Sequence, residues 1–509
     1  MMYKNLIAFG LLILLPFAGI SQNFVDALRY SSTKIEGTAR AGGMGNAFGA
    51  LGGDFSATVI NPAGLGVYRA GEFAVTPSFG KVDINSRYLG TSSNDYRYNF
   101  NLSNISYVAN IGSGNRSESG LVAINMGVGY NQLVDFKAKA LAKTNNAQSS
   151  FLDHITENAN SRYNTWSDYY EELAWRTDLL IYDEDNDEYW HDMMPYPAIG
   201  YPGYGQSQRK FYDYSGAINE YTFAVGLNFS HKFYLGASLG ILDVYYKEST
   251  YHEEWDAKNE IAYFDDLKFN TSLRTSGTGY NFKVGAIFRP IDMLRLGISI
   301  NTPTFYSFSD NFYTTMYSTI TDEQTAETTK REYGSPVSRY DYRLDSPFKA
   351  VFSGAVIISK RGLVSVDCEY MNYGSAKLRD GGDGYAFFNE NDDTKALYKA
   401  VANLRVGGEY RVTDAFSLRA GYEYYPSAFK DMALEAEQPN SNFSYNVISA
   451  GLGYKTAGGF FVDLAYRHIA SGNYDMLYPS PYSNFYPKPE FAKFDRNTNK
   501  VLLTLGFRF

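Results

Sequence analysis

The last ten residues, Lys500–Phe509, read KVLLTLGFRF. Val501, Leu503, Leu505, Phe507 and Phe509 fall on one face of a strand, because successive side chains in β structure point to opposite sides. Leu502, Thr504, Gly506 and Arg508 fall on the other. The alternation recurs upstream. Phe416, Leu418, Ala420, Tyr422 and Tyr424 alternate with Ser417, Arg419, Gly421 and Glu423. Leu404, Val406, Gly408 and Tyr410 alternate with Arg405, Gly407, Glu409 and Arg411, and Leu294, Leu296, Ile298 and Ile300 with Arg295, Gly297, Ser299 and Asn301. Tyr221, Phe223, Val225, Leu227 and Phe229 alternate with Thr222, Ala224, Gly226, Asn228 and Ser230. One face is apolar and often ends in Tyr or Phe; the other carries Arg, Glu, Asn and Gly. That is the pattern of a strand with lipid on one side and a polar lumen on the other. A soluble all-β protein, with the apolar face packed on a second sheet, is the alternative.

About fourteen segments have this character, near 70–80, 97–111, 119–135, 218–230, 233–249, 269–288, 293–307, 345–358, 363–373, 403–412, 415–425, 443–455, 459–468 and 499–509. The number is even, as a bacterial single-chain membrane barrel requires. Connections alternate in length. Short turns lie near 112–119, 231–232, 289–292, 359–362, 412–415 and 456–459, and long loops near 81–96, 136–217, 250–268, 308–344, 374–402, 426–442 and 469–498. With both termini in the periplasm, every short turn falls on the periplasmic side.

Composition agrees. The chain has 509 residues, with 46 Lys+Arg against 55 Asp+Glu, a net charge of −9, which lacks the basic footprint of a nucleic-acid protein. A single Cys excludes a disulfide framework and paired-cysteine zinc sites. Aromatics make up 17% of the chain, too many for a disordered one. The one apolar run long enough to interest a membrane is at the N-terminus, MMYKNLIAFGLLILLPFAGISQ. Lys4, the Leu6–Leu15 run, Pro16 and the small residues Ala18, Gly19 and Ser21 read as a signal peptide over residues 1–21.

Residues 22–69 do not alternate. They carry TARAGGMGNAFGALGGDFSATVINPAGLG over Thr38–Gly66, glycine-rich, with Phe48, Leu51 and Phe55 as apolar anchors. About 48 residues is small for an independent core, so the segment is expected to pack in the polar lumen as a plug, with the barrel over 70–509. The glycine-rich run, then Asp54, Ser56 and Ala57, then Asn61-Pro62-Ala63-Gly64-Leu65, resembles the N-terminal hatch of the FadL-type outer-membrane transporters of long-chain fatty acids and other hydrophobic compounds. The local match covers roughly 38–66; Phe509 also resembles the C-terminal signal of outer-membrane barrels. The resemblance implies an all-β fold, a fourteen-stranded antiparallel transmembrane barrel with its hatch inside, and lateral release through a break in the third strand. Asn125, Gly127 and Gly129 on the third candidate strand are the expected opening. Asn61, Pro62 and Ala63 either anchor the hatch as a turn or help gate it; Pro62 fixes its own φ, and Asn61 can hydrogen-bond nearby backbone.

The inward face carries Arg295, Asp367, Glu369, Arg405, Glu409, Arg411, Arg419, Glu423, Asp463 and Arg467, of both signs on neighbouring strands, so cross-strand pairs are expected. In the largest loop, 136–217, residues 151–180 mix Leu, Trp and Tyr with acids at roughly helical spacing. Trp166, Tyr169, Tyr170 and Trp175 are candidates for ligand capture or for packing among the loops. Asp183, Asp185, Asp187 and Glu188 are oxygen ligands of the kind Ca²⁺ takes, but without an EF-hand glycine the reading is a solvated acidic tip. The segment Asp380–Gly384 reads the same way. No metal site is assigned.

Catalytic signals are absent or poor. No HExxH, GxxxxGK[ST] or GxSxG occurs, and His154, His191, His231, His252 and His468 are far apart. Cys368 lies between Asp367 and Glu369 and so faces lipid. The expected protein is no enzyme and needs no cofactor. It is an outer-membrane channel for a hydrophobic small molecule, set in the outer-membrane lipid and lipopolysaccharide of a Gram-negative cell. It is placed there by the barrel assembly machinery, binds no nucleic acid, and is expected to be a monomer. A secretion shuttle or assembly partner of the same family and a general porin are the alternatives.

Overall fold

The computed structural model describes residues 24–112, 119–161, 165–195, 203–322, 325–359, 361–430 and 444–509. The signal-peptide reading of 1–21 lies outside them. Fourteen strands form the wall: β1 (Glu72–Tyr88), β2 (Thr91–Gly112), β3 (Leu121–Asp135), β4 (Ser207–Phe229), β5 (Phe233–Trp255), β6 (Asp266–Ile291) and β7 (Leu294–Asn301). They continue with β8 (Lys349–Ile358), β9 (Gly362–Asn372), β10 (Ala400–Arg411), β11 (Phe416–Tyr425), β12 (Tyr445–Lys455), β13 (Phe460–Met476) and β14 (Phe491–Arg508). Each pairs antiparallel with its neighbours, and β14 returns to β1 with Phe507 opposite Phe73. Closure joins the first and last strands of the ring, which is what a strand-built structure needs inside a bilayer.

The faces follow the alternation. On β14, Leu502 and Thr504 are buried, whereas Val501, Leu503, Leu505, Phe507 and Phe509 are exposed on the outside. Asp367, Arg405, Arg419, Glu423, Asp463 and Arg467 all point inward and are buried. Cys368 sits opposite outward-facing Phe352, on the lipid side.

Three of the long connections are largely strand rather than loop. The stretch 81–96 is the tip of the first hairpin, whose ladder runs on to Tyr88 opposite Thr91. Leu89 (φ 44°) and Gly90 (φ 77°) make a two-residue turn in the left-handed region, the geometry that matches strand twist. The hairpin's polar composition disguised it, because it extends beyond the apolar band. Likewise β5 and β6 extend to Trp255 and back to Asp266, and the stretch 308–344 carries strands Phe305–Thr321, Thr328–Gly334 and Ser338–Asp345.

The long connection after β3 holds helices Phe151–Ser161 and Glu171–Arg176 and a small hairpin, Ile181–Asp183 with Glu188–Trp190. Phe151, Leu152, Ile155, Leu173, Leu179 and Leu180 form one buried cluster with Val82, Ile84, Tyr88, Phe269, Met316 and Tyr478 from the wall and neighbouring loops. This cap covers the long-loop end of the barrel.

Candidate functional site

The glycine-rich N-terminal segment fills the lumen with short turns, each capped by a polar side chain. Helices α1 (Phe24–Ser31) and α2 (Ala39–Gly43) lead into two 3₁₀ turns, Phe55–Val59 and Pro62–Val67. Thr38 caps α2 by accepting from Ala41 N at 3.1 Å, and its hydroxyl donates to Asp54 at 2.6 Å. Asp54 in turn caps the first 3₁₀ turn through Ser56 N. Asn61 caps the second: its Oδ1 accepts from Ala63 N at 3.1 Å, and Pro62 occupies the first position, where no N–H is needed. Asn61 Nδ2 donates to Gly49 O at 2.7 Å and to Ala286 O of β6 at 3.2 Å. One amide thus ties two parts of the hatch to each other and to the wall. Phe48, Leu51 and Phe55 are buried, Phe48 and Leu51 beside Met44, Ile60, Val351 and Ala355, and Phe55 beside Leu65, Tyr68 and Val108.

The wall receives this hatch through missing side chains. A β-carbon on Gly236 would strike Pro62 backbone, one on Gly285 the Asn61 side chain, and one on Gly297 the Gly49 carbonyl. Gly407 and Gly421 abut Met44 and Gly45 backbone, and Gly226 abuts Leu65 and Gly66. Inward-facing glycines on six strands therefore form a girdle into which the hatch backbone fits.

Charges bolt the hatch. Arg40 Nε lies 3.1 Å from Glu409, which Arg419 also holds at 2.7 Å while reaching Asp463 at 2.6 Å. Gly49 N donates to Asp367 at 3.0 Å, and Asn46 Nδ2 to Glu423 at 3.2 Å. Arg467 pairs with Glu423 at 2.6 Å, and Arg405 pairs with Glu369 at 3.1 Å and faces Asp367 at 3.7 Å. Glu36 pairs with Lys500; burial pushes its carboxyl upward, but Lys500 and Arg467 outweigh that and hold it below its ordinary value. Eight of the ten charged residues expected to pair on the inward face do so, Arg295 and Arg411 forming no ion pair among the described residues, and the hatch is a third partner.

Asn125, Gly127 and Gly129 do not mark a gap. Both edges of β3 are paired through residues 123–131. The two glycines make room for Phe55, which a β-carbon at either would strike, and Asn125 Nδ2 donates to Leu65 O at 2.9 Å. The ladder parts farther along. Pairing of β2 with β3 ends at Asn104 opposite Asn131, the register shifts between Gln132 and Val134, and Gly216, whose carbonyl accepts from Phe136 N, has φ 110°. The chain resumes as strand Ala138–Thr144, paired with β4 alone, and Ser86 Oγ of β1 donates to Leu141 O. The freed edge is taken by the hatch: Lys34 N donates to Leu133 O at 3.2 Å and Glu36 N to Gln132 O at 3.3 Å.

Lys34 is the cation of that strap. Its ammonium lies 4.5 Å from the Tyr445 ring centre and 5.6 Å from that of Tyr425. Burial, then the like charges of Lys349 and Arg496, lower it from 10.5 to about 8. Below pH 8 it is charged whether the hatch is seated or released. From about 8 to 10.5 it is charged only when released into water, so seating gains as pH rises through that window. Leak conductance should therefore fall between pH 8 and pH 10 by up to about tenfold per unit, and Lys34→Met should flatten the profile.

Between hatch and cap lies a cavity of about 360 Å³. Phe136, Tyr212, Tyr214, Tyr246, Phe494, Ile84, Ala138 and Ala140 give it apolar walls, and Arg29, Asp475 and Arg496 a polar end. Tyr212 stacks on Tyr214, and Phe136 meets Tyr246 edge-on at 5.0 Å. Arg29 is engaged by Asp26 and Glu248 and lies over Tyr246 at 4.4 Å. Arg496 has no carboxylate ion pair among the described residues. These residues escaped sequence reading because most belong to the strand extensions beyond the apolar band. On the outer surface, an apolar depression of about 550 Å³ spans β2 to β6 between Tyr107, Met126, Phe223, Leu239 and Phe282.

The four capture candidates are brought together only in part. Trp166 and Trp175 meet each other and Tyr189 at 4.9–6.1 Å, Tyr170 packs inward on Phe151 and Phe269, and Tyr169 lies on Phe312. Trp175 is the most exposed of them. The acidic tip is a turn: Asp183 accepts from Asp185 N and Asn186 Nδ2, and Asp187 from Tyr182. Among the described residues no cluster of His, Cys, Asp or Glu could hold a metal ion. Asp380 accepts from Gly382 N and Gly384 N in the same manner.

Known proteins share this architecture. A family model for outer membrane protein transport proteins (OMPP1/FadL/TodX) matches residues 219–508. A Pseudomonas aeruginosa FadL homologue superposes with a TM-score of 0.55 at 14% identity, covering 94% of this chain and 98% of that one. The P. putida toluene transporter TodX gives 0.47 at 12% identity, over 92% and 97%. The Ralstonia pickettii toluene transporter TbuX gives 0.46 at 12% identity, over the same shares. No curated protein sequence matches the chain. The family match spans more than half of the sequence and takes in ten of the fourteen strands and part of an eleventh, so the protein belongs to the OMPP1/FadL/TodX family of outer-membrane transport proteins.

Proposed function

We propose that this barrel carries a hydrophobic small molecule with a polar end inward across the outer membrane. Its termini and short turns face the periplasm. The molecule is captured at the loops, where Trp175 is exposed beside Trp166, and passes to the cavity above the hatch. The observation that carries the reading is that cavity: aromatic walls, Arg29 of the hatch on its lining, and Arg496 at its end with no carboxylate ion pair among the described residues. Aromatic rings take an apolar body, and a guanidinium takes a carboxylate or hydroxyl head.

Release is coupled to the strap. Lys34 and Glu36 occupy the edge that β3 loses from β2, so a shift of the hatch frees both the floor of the cavity and that segment of wall. The way out is then downward past the girdle or sideways between β2 and β3, toward the outer apolar depression. Transfer between apolar environments supplies the driving force.

The test is mass spectrometry of solvent extracts from the purified, detergent-exchanged barrel, beside a variant carrying Asn61→Ala and Pro62→Ala. A defined hydrophobic compound at near-stoichiometric level, depleted several-fold in the variant, is the expected result. An empty barrel with tightly bound protein subunits would replace this reading with a secretion or assembly role.

A further inference from the structure

The hatch divides the cavity just described from a second one, of about 420 Å³, at the short-turn end of the barrel. Its floor is apolar, built from Leu51 and Val67 of the hatch with Ile357 and Leu363 at the ends of β8 and β9. Five arginines line it, Arg40, Arg69, Arg295, Arg411 and Arg508, and one carboxylate, Glu409.

The partners in place do not balance that charge. Glu409 is shared by Arg40 and Arg419. Arg508 is held by Glu72 at 2.7 Å, and that carboxylate also accepts from Tyr68. Arg295 donates Nη1 to Leu51 O at 2.6 Å, while its Nε is buried without a partner. Arg69 and Arg411 form no ion pair with a carboxylate among the described residues. Three guanidiniums around one cavity thus lack a counter-charge, and one presents a desolvated donor. Like charges gathered in this way repel unless an anion joins them, and a planar guanidinium is suited to bind carboxylate or phosphate through two parallel bonds.

We propose that this mouth cavity binds the anionic head of an amphiphile, a carboxylate or phosphate borne on an apolar tail. Arg69, Arg295 and Arg411 hold the head, and the Leu51–Val67–Ile357–Leu363 floor takes the first part of the tail. The volume is within the range of small-ligand sites. The site is physically separate from the cavity above the hatch, so it stands or falls apart from the uptake reading.

Equilibrium binding of radiolabelled decanoate and of decyl phosphate to the full chain in phosphatidylcholine nanodiscs tests it, with empty discs as background. Arg69→Gln with Arg411→Gln removes the mouth charges, and Arg496→Gln removes the charge above the hatch. The expected result is a site that the double variant weakens at least tenfold and Arg496→Gln leaves intact. Decan-1-ol should fail to compete for it, and Arg69→Lys with Arg411→Lys, which keeps the charge, should restore much of the binding. Preference for decanoate or for decyl phosphate decides between a fatty-acid and a lipid-phosphate source. Binding that is unchanged in the double variant, or equally matched by decan-1-ol, overturns the proposal. A single site lost only in Arg496→Gln, or no binding of either probe, overturns it while leaving the uptake reading to its own test.

Discussion

Gly236→Val should drive the hatch out of its seat and open the lumen. Gly236 faces inward on β5, and a β-carbon there would occupy the space of the Pro62 carbonyl and Ala63 nitrogen. These are backbone atoms of a capped turn and cannot swing aside as a side chain would. Non-bonded carbons need about 3.5–4.0 Å, so the turn must move, and with it Asn61 and its bonds to Gly49 and Ala286. The wall itself tolerates the change, because Gly236 keeps its ladder positions opposite Gly226 and Gly285 and Val suits a strand. In planar bilayers the variant should pass from a closed baseline to stable open steps, and the hatch amides should exchange hydrogen faster. Gly354→Val is the matched control: a β-carbon there meets nothing within 4 Å, and conductance should stay at the wild-type baseline. Equal conductance in both variants would show that the girdle does not hold the hatch.

Arg405→Met should cost about 3–5 kcal/mol of stability, the range for breaking a buried pair by removing one partner. Arg405 stands across the ladder from Asp367, and it reaches Glu369 at 3.1 Å. Both carboxylates are buried, and Asp367 also receives the Gly49 amide of the hatch. Without the guanidinium two neighbouring anions remain in a closed lumen. The urea midpoint of the detergent-solubilised barrel should fall accordingly. Adding Asp367→Asn and Glu369→Gln should recover most of the loss, because the uncompensated charge, more than lost packing, causes it. A triple variant as unstable as the single one would assign the effect to packing instead.

Much of this architecture was legible along the chain. Alternation such as that of Lys500–Phe509 sets the two faces of a strand by itself, so the wall, its fourteen strands and its inward charges could be read locally. Asn61-Pro62-Ala63 and the glycine run likewise identified the hatch. What escaped reading depends on what stands opposite in space. Gly236, Gly285 and Gly421 look like ordinary inward small residues until Pro62, Asn61 and Gly45 are placed against them. Gly127 and Gly129 suggested a weak point in β3, yet they are the seat of Phe55. The true departure follows at Gln132–Lys137, where Leu133 and Val134 stand side by side and break the period of two. That lapse was the available signal. The tip of the first hairpin was lost because Asn94 and Asp95 make it read as a loop, although its strands are paired to the last residue. The aromatic residues of the long loop were recognisable as a cluster, but not which rings would turn inward to pack beneath the cap.

The hatch also constrains the order in which the molecule can be completed. Ala39 N is bonded to Thr504 Oγ1 across 465 residues, and Glu36 is held by Lys500 of the same last strand. The hatch precedes the whole wall in the chain, yet it cannot reach its final place until the last strand exists and has met β1. Contacts of such sequence separation form late and slowly. A chain stopped short of β14 would lack both the seam of the barrel and two fastenings of its plug, so the two defects would arise together. Seating of the hatch is in this sense a completion mark: a molecule that holds it has already finished its wall.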